Sequence, residues 1–239
     1  MAKAHESWTV LKHGSLEQLA DNLWFVWGSL PNMSLKRNMV VVRLQSGELV
    51  LHNPIALDDA SMKQLESLGD PALLVAPSGY HRLDSKVYKD RYPKAKVIAP
   101  RGSRKLVEEV LPVDLTMDEY SSVDPSVQFE RLEGVDDKEG VMLVRSGDGL
   151  TLVFNDVIFN MDKKTDFLGY LFTTILGSAP GPRVSRLTKW TIIKDKSAVR
   201  AQLERYASRE DLVRMIVAHE KVASGPDARA ALRQAMTYL

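Results

Sequence analysis

Apolar residues recur along this chain in two rhythms, and the changes between them mark where strands give way to helices. Positions 24–27 and 39–44 are continuous β-branched, aromatic and aliphatic runs that read as strands, and Gln45-Ser46-Gly47-Glu48 supplies turn chemistry ahead of the run 49–52. An antiparallel hairpin is predicted there. From Asp58 the spacing lengthens: Met62, Leu65 and Leu68 share one helical face, and Gly69 is a stop, so a helix is predicted over 58–68. A strand at 72–76, a helix at 84–91 ended by Pro93, a strand at 96–99 and a helix at 103–110 follow. That alternation predicts a parallel segment covered by helices.

Beyond Pro112 period two returns at 127–132, and the runs 141–144 and 150–154 are joined by Arg145-Ser146-Gly147-Asp148-Gly149, which predicts a second antiparallel hairpin. The last third holds a Gly- and Pro-interrupted stretch over 169–182, a helix over 197–206, a short apolar run ending at His219 and a C-terminal helix over 226–238. Two β-rich halves, each followed by helices, are consistent with a sandwich of two similar layers.

Composition adds bounds. A chain of 239 residues, 44% hydrophobic and 26% charged, is an ordinary globular sequence, and one domain spanning 1–239 is expected. The formal charge of +1 supplies no general field for nucleic acid. The absence of cysteine excludes thiolate metal sites, disulfides and cysteine nucleophiles. No run approaches the ~20 apolar residues of a membrane span and the opening residues lack a signal-peptide core, so a cytoplasmic protein is expected. No G-x-S-x-G elbow, P-loop, Gly-x-Gly-x-x-Gly or H-E-x-x-H occurs, and Asp58-Asp59 and Asp136-Asp137 read as solvated loop charges.

Three isolated residues, His81, Asp156 and His219, each stand just past a strand-like run, where reactive groups gather. Two imidazoles and a carboxylate suit zinc, iron or manganese. Three protein ligands leave a position for water. Tyr80 is a candidate donor to a developing oxyanion, and Asp84 a candidate base or orienter of an imidazole. Each also has an ordinary structural reading: a hydrogen-bonded loop histidine, a turn acid, a packed tyrosine, a helix cap.

The order of elements, with the Tyr80-His81 segment, Tyr92-Pro93-Lys94-Ala95-Lys96-Val97, Phe154-Asn155-Asp156 and Ala218-His219, resembles the metallo-β-lactamase superfamily over roughly 23–239. The resemblance implies an α+β fold, a four-layer αββα sandwich. It places His81 on the last histidine of an H-x-H-x-D-H motif, Asp156 on the acid that bridges two metals, and His219 on the final ligand of the second metal. Ala76, Ser78 and Tyr80 fill the other ligand slots of that motif, and 133–137 has no histidine, so the first metal position is lost. His52 replaces the aspartate usual at the end of the early strand. The expectation is a degenerate site with one zinc, iron or manganese ion at most, or none. It fits a metal-dependent hydrolase acting on a small molecule; the other reading is a non-catalytic binding or structural module on the same fold.

The stretch 167–177 is too short to span a bilayer and reads as a core helix or a lid over the cleft, or else as a membrane-skimming or partner-binding surface. With Arg183, Arg186 and Lys189 following, a lid there would favour an anionic substrate.

Overall fold

A computed structural model of the chain describes residues 4–121 and 124–239. Among them, one sheet carries seven strands side by side in chain order: β1 (Glu17–Ala20), β2 (Leu23–Leu30), β3 (Met33–Arg43), β4 (Leu49–His52), β5 (Pro71–Val75), β6 (Lys96–Ala99) and β7 (Leu115–Thr116). The other holds β8 (Val127–Arg131), β9 (Gly140–Ser146), β10 (Gly149–Val153), β11 (Leu212–Ile216) and β12 (Ala223–Ser224), in the order β12-β11-β10-β9-β8. The helices are α1 (Asp59–Leu68), α2 (Ser85–Arg91), α3 (Arg104–Val107), α4 (Phe167–Tyr170), α5 (Arg186–Thr191), α6 (Lys196–Ala207) and α7 (Pro226–Met236).

Side chains of a strand alternate between its two faces, and this sorts the apolar residues into three packed layers. Val40, Val42, Val50 and Val75 of the first sheet meet Met142, Val144, Val153 and Ile216 of the second. Their neighbours Met39, Val41, Leu49 and Leu51 point the other way, onto Met62 and Leu65 of α1 and Tyr88 of α2. On the far side, Leu143, Leu152 and Met215 pack on Val199 and Leu203 of α6 and on Ala231 and Leu232 of α7. The result is the expected αββα sandwich. Strands buried on both faces read as continuous apolar runs because helices cover one face and the other sheet covers the second.

The register follows the predicted turns closely. β2 and β3 form a hairpin whose turn residue Asn32 sits at φ 64°, the left-handed region that asparagine tolerates. β9 and β10 close on Gly147-Asp148, with Ser146 opposite Gly149. β4, β5, β6 and β7 are mutually parallel, as the strand–helix alternation predicts. At the end of α1, Gly69 has φ 150°, and a Cβ there would lie 1.9 Å from the Gly47 carbonyl oxygen, so the stop is a requirement for close approach as well as for conformation.

Three expectations are corrected. The helix predicted over 103–110 is a 3₁₀ turn at Arg101–Ser103 leading into the single turn of α3, because the amides of Val110 and Leu111 both donate to the Val107 carbonyl and the chain turns away before Pro112. The C-terminal helix ends at Met236 rather than 238, where the last amides fold back in short turns. The stretch 167–177 is not a core helix: α4 runs into a π-helical turn at Leu171–Ile175, and Phe167, Tyr170, Leu171 and Ile175 are exposed. No helix among the described residues is long and apolar enough to cross a membrane.

Candidate metal centre

β5, β10 and β11 end on the same side of the sandwich, and the loops that follow carry His81, Asp156 and His219 into one cluster. A ligand atom from each lies within 4.8 Å of the other two. His81 Nε2 is 3.1 Å from both Asp156 oxygens, and His219 Nε2 is 3.3 Å from Asp156 Oδ1. The expected convergence of three residues distant in sequence is what the topology delivers.

Each side chain is held from behind. Thr188 Oγ1 on α5 donates to the Asp156 carbonyl at 2.8 Å, and the Ser185 hydroxyl bonds Thr188 in turn. Asn38 fastens the His219 loop to the other sheet: its Nδ2 donates to the carbonyls of Val217 and Glu220, and its amide donates to Ala218. Phe159 stacks on the His219 ring at 5.6 Å, and Phe172 meets the same ring edge-on at 6.3 Å.

The hydrogen bond from His219 Nδ1 to the Lys36 carbonyl, 2.8 Å long, decides the chemistry. A carbonyl only accepts, so Nδ1 carries the hydrogen, and a neutral His219 aims a lone pair from Nε2 at the Asp156 carboxylate. Two acceptors facing each other at 3.3 Å need a cation between them, either a proton or a metal ion. The donor set therefore fits a metal. Without one, burial lowers the His219 pKa, but the hydrogen bond and charge of Asp156 outweigh it and the net shift is upward. Burial likewise raises Asp156, and the charge of His81 with the hydrogen bonds of both histidines overcomes it, holding the carboxyl far below its usual range.

Beneath Asp156 lies Glu139, which no motif in the sequence marks. Its Oε1 accepts from Asn155 Nδ2 at 3.2 Å and its Oε2 from the Val157 amide at 3.1 Å, so it grips the loop that presents Asp156. Burial, and then the charge of Asp156, push its carboxyl well above the usual value. The negative charge of the pair thus sits on Asp156, between the imidazoles. A lone acid ahead of a strand looks like any solvated charge in sequence. Asn38 left a fainter signal, as a polar residue at the entry of the buried run 39–44.

The other candidates fall elsewhere. Tyr80 is 58% exposed at the rim of the cleft, its amide bonded to Ser78 Oγ, so it is not a packed aromatic. Asp84 is wholly buried, and its carboxylate is taken by Arg37, by His5 Nδ1 at 2.6 Å and by the Ala56 amide at 2.9 Å. It orients His5 rather than an imidazole of the cluster, makes no side-chain cap on α2, and has no oxygen to spare as a base. His52 is buried with no hydrogen-bond partner at Nε2 among the described residues. Burial, with the nearby charge of His81, lowers its pKa to about 3 and keeps it neutral. Ala76 packs in the outer core beneath α1 and α2, and a cavity of about 140 Å³ beside Ser78, Tyr80 and Glu139 has no imidazole in its wall.

Arg183, Arg186 and Lys189 do not enter the cleft. Arg183 lies over the Tyr238 ring, Lys189 donates to the Tyr238 carbonyl, and Arg186 donates to the Ile175 carbonyl. No lysine or arginine among the described residues lines the cleft to carry the expected attraction for an anion.

The sign of the pH response follows from these shifts. In metal-free protein the His219–Asp156 pairing is fully present below the unfolded histidine value and lost as pH rises through the raised folded one. It is also lost as pH falls through the depressed value of Asp156. Its stabilisation is thus expected between about pH 4 and 6.5, declining above. Zinc needs His219 neutral at Nε2, so zinc affinity is expected to rise by up to about tenfold per pH unit over the same range. Thermal unfolding with chelator and zinc titration at several pH values check both; a pH-independent zinc affinity there would place the ion away from His219.

The chain has the metallo-β-lactamase fold. Solved structures of the DIM-1 metallo-β-lactamase, one of them exposed to ceftazidime, superpose with a TM-score of 0.64 at 13–14% sequence identity, over 95% of this chain and 97% of theirs. The FIM-1 metallo-β-lactamase of Pseudomonas aeruginosa, in its mono-zinc form, superposes with a TM-score of 0.60 at 14% identity, over 93% of this chain and 94% of its own. No protein-family model and no curated protein matches the sequence.

Proposed function

We propose that this chain is a metal-dependent hydrolase working with a single ion held by His81, Asp156 and His219. The observation that carries the reading is the convergence of His81, Asp156 and His219, a ligand atom of each lying within 4.8 Å of the other two. Zinc, iron or manganese suits this donor set. Bound there, the ion would supply Lewis acidity toward a carbonyl or phosphoryl group. Asp156 keeps its charge between the imidazoles while Glu139 stays neutral below it. Phe159 and Phe172 pack on His219 and restrict water on that side. Tyr80, at the rim, donates its phenol hydrogen to a developing oxyanion.

With Ala76, Ser78 and Tyr80 in place of ligands, two-metal chemistry is outside its reach. The expected result is slow ester or lactone hydrolysis that requires added metal, and β-lactam turnover close to background. Activity assays of zinc-, iron- and manganese-loaded protein against chromogenic esters and a β-lactam check this. Equal rates with and without metal would remove the reading. The competing one, a non-catalytic module, is favoured by the packing of Ala76 into the core, and the same assays separate the two: metal binding without turnover of any ester would support it.

A further inference from the structure

Above the cluster opens a cleft of about 400 Å³, within the size range of small-molecule sites. Leu30, Met33 and Leu35 of the β2–β3 hairpin line it together with Phe172 and Leu187, and Asp156 and His219 belong to the same lining. No lysine or arginine among the described residues lines it, and Arg183, Arg186 and Lys189 are turned to Tyr238 and Ile175. Phe172 and Leu187 come from the π-helical turn and from α5, and these same segments with α4 hold Phe167, Tyr170, Leu171, Ile175 and Trp190 out to solvent, Trp190 at 71% exposure. Exposed apolar side chains are ordinary when scattered, but this many on one covering segment mark a binding surface.

We propose that the cleft takes the uncharged alkyl or aryl arm of its substrate, so that the substrates of the site are neutral, hydrophobic esters or amides rather than anions. The scissile-bond half of this rests on the hydrolase reading; the recognition half does not, since the apolar walls stand without metal or turnover. Affinity then comes from burying methylene groups between the hairpin and the covering segment. Selectivity against anions comes from the apolar lining, which would strip water from a carboxylate without a lysine or arginine among the described residues to pair with it.

The test separates the two halves by using metal-free wild-type protein, which cannot hydrolyse through a metal. N-phenyl-1-naphthylamine, a neutral fluorescent probe, is bound and then displaced by primary alcohols from butanol to decanol. Each added methylene is expected to tighten displacement by about three- to fourfold until the cleft is full. Leu187→Trp should shorten the longest alcohol that still gains, Phe172→Ala should lengthen it, and both should unfold cooperatively. The carboxylates of the same chain lengths should displace at least tenfold more weakly. Chain-length dependence in the metal-free protein, with the Leu187→Trp and Phe172→Ala shifts, upholds the inference even if no hydrolysis is found. Displacement independent of chain length, tighter binding of the carboxylates, or binding insensitive to Leu187→Trp but lost in Trp190→Asp would overturn it; the last would put the probe on the outer surface.

Discussion

His219→Ala is expected to weaken zinc binding by more than about 100-fold, and His81→Ala by a similar factor. Loss of an outer partner that merely orients a ligand costs about 10–100-fold, so removing the ligand itself should exceed that range. In metal-free protein the change should be small, within about 2 kcal/mol, because Asp156 remains paired with whichever histidine is left. Calorimetric zinc titration beside thermal unfolding with chelator checks this. Two variants that lose stability while binding zinc like wild type would make these histidines structural.

Asp84→Ala should be the most destabilising change of any candidate residue, by about 3–5 kcal/mol, or a fall in Tm of roughly 6–20 °C. The guanidinium of Arg37 is 3% exposed between the first sheet and α2, and its Nε lacks a partner among the described residues. Truncating Asp84 leaves that cation buried without its counter-ion and frees the Ala56 amide and His5 as well. Asp84→Asn keeps the shape and should lose less. Where the Asp84 variants fold, zinc affinity should stay near wild type, since the carboxylate faces the outer core. Unchanged stability with lost turnover would make Asp84 a catalytic group.

The strands were legible wherever burial on two faces forced long apolar runs, as at 39–44, 72–76 and 150–154. β1, β7 and β12, of two to four residues, are too short to show any period. The π-helical turn was hidden because an apolar, glycine-bearing stretch reads the same whether it is buried or covers a cleft. At the site, His81, Asp156 and His219 were legible from their position past strand ends. Asp84 misled because sequence nearness to His81 says nothing of side-chain direction. Asp84 enters α2 beneath β3, where the partner that claims it, Arg37, lies 47 residues away. Glu139 and Asn38 act through loop backbones far along the chain, contacts that only the folded topology creates.

The central claim is that one ion sits among His81, Asp156 and His219, and Asp156→Asn tests it most directly. The change keeps volume and removes the charge that the ion needs. Protein purified without chelator or nickel resin is analysed for zinc, iron and manganese, then stripped and titrated. Wild type should saturate at one equivalent and Asp156→Asn should bind none in the same range. A wild type that takes up no metal, or an Asp156→Asn variant that saturates like it, would contradict the account.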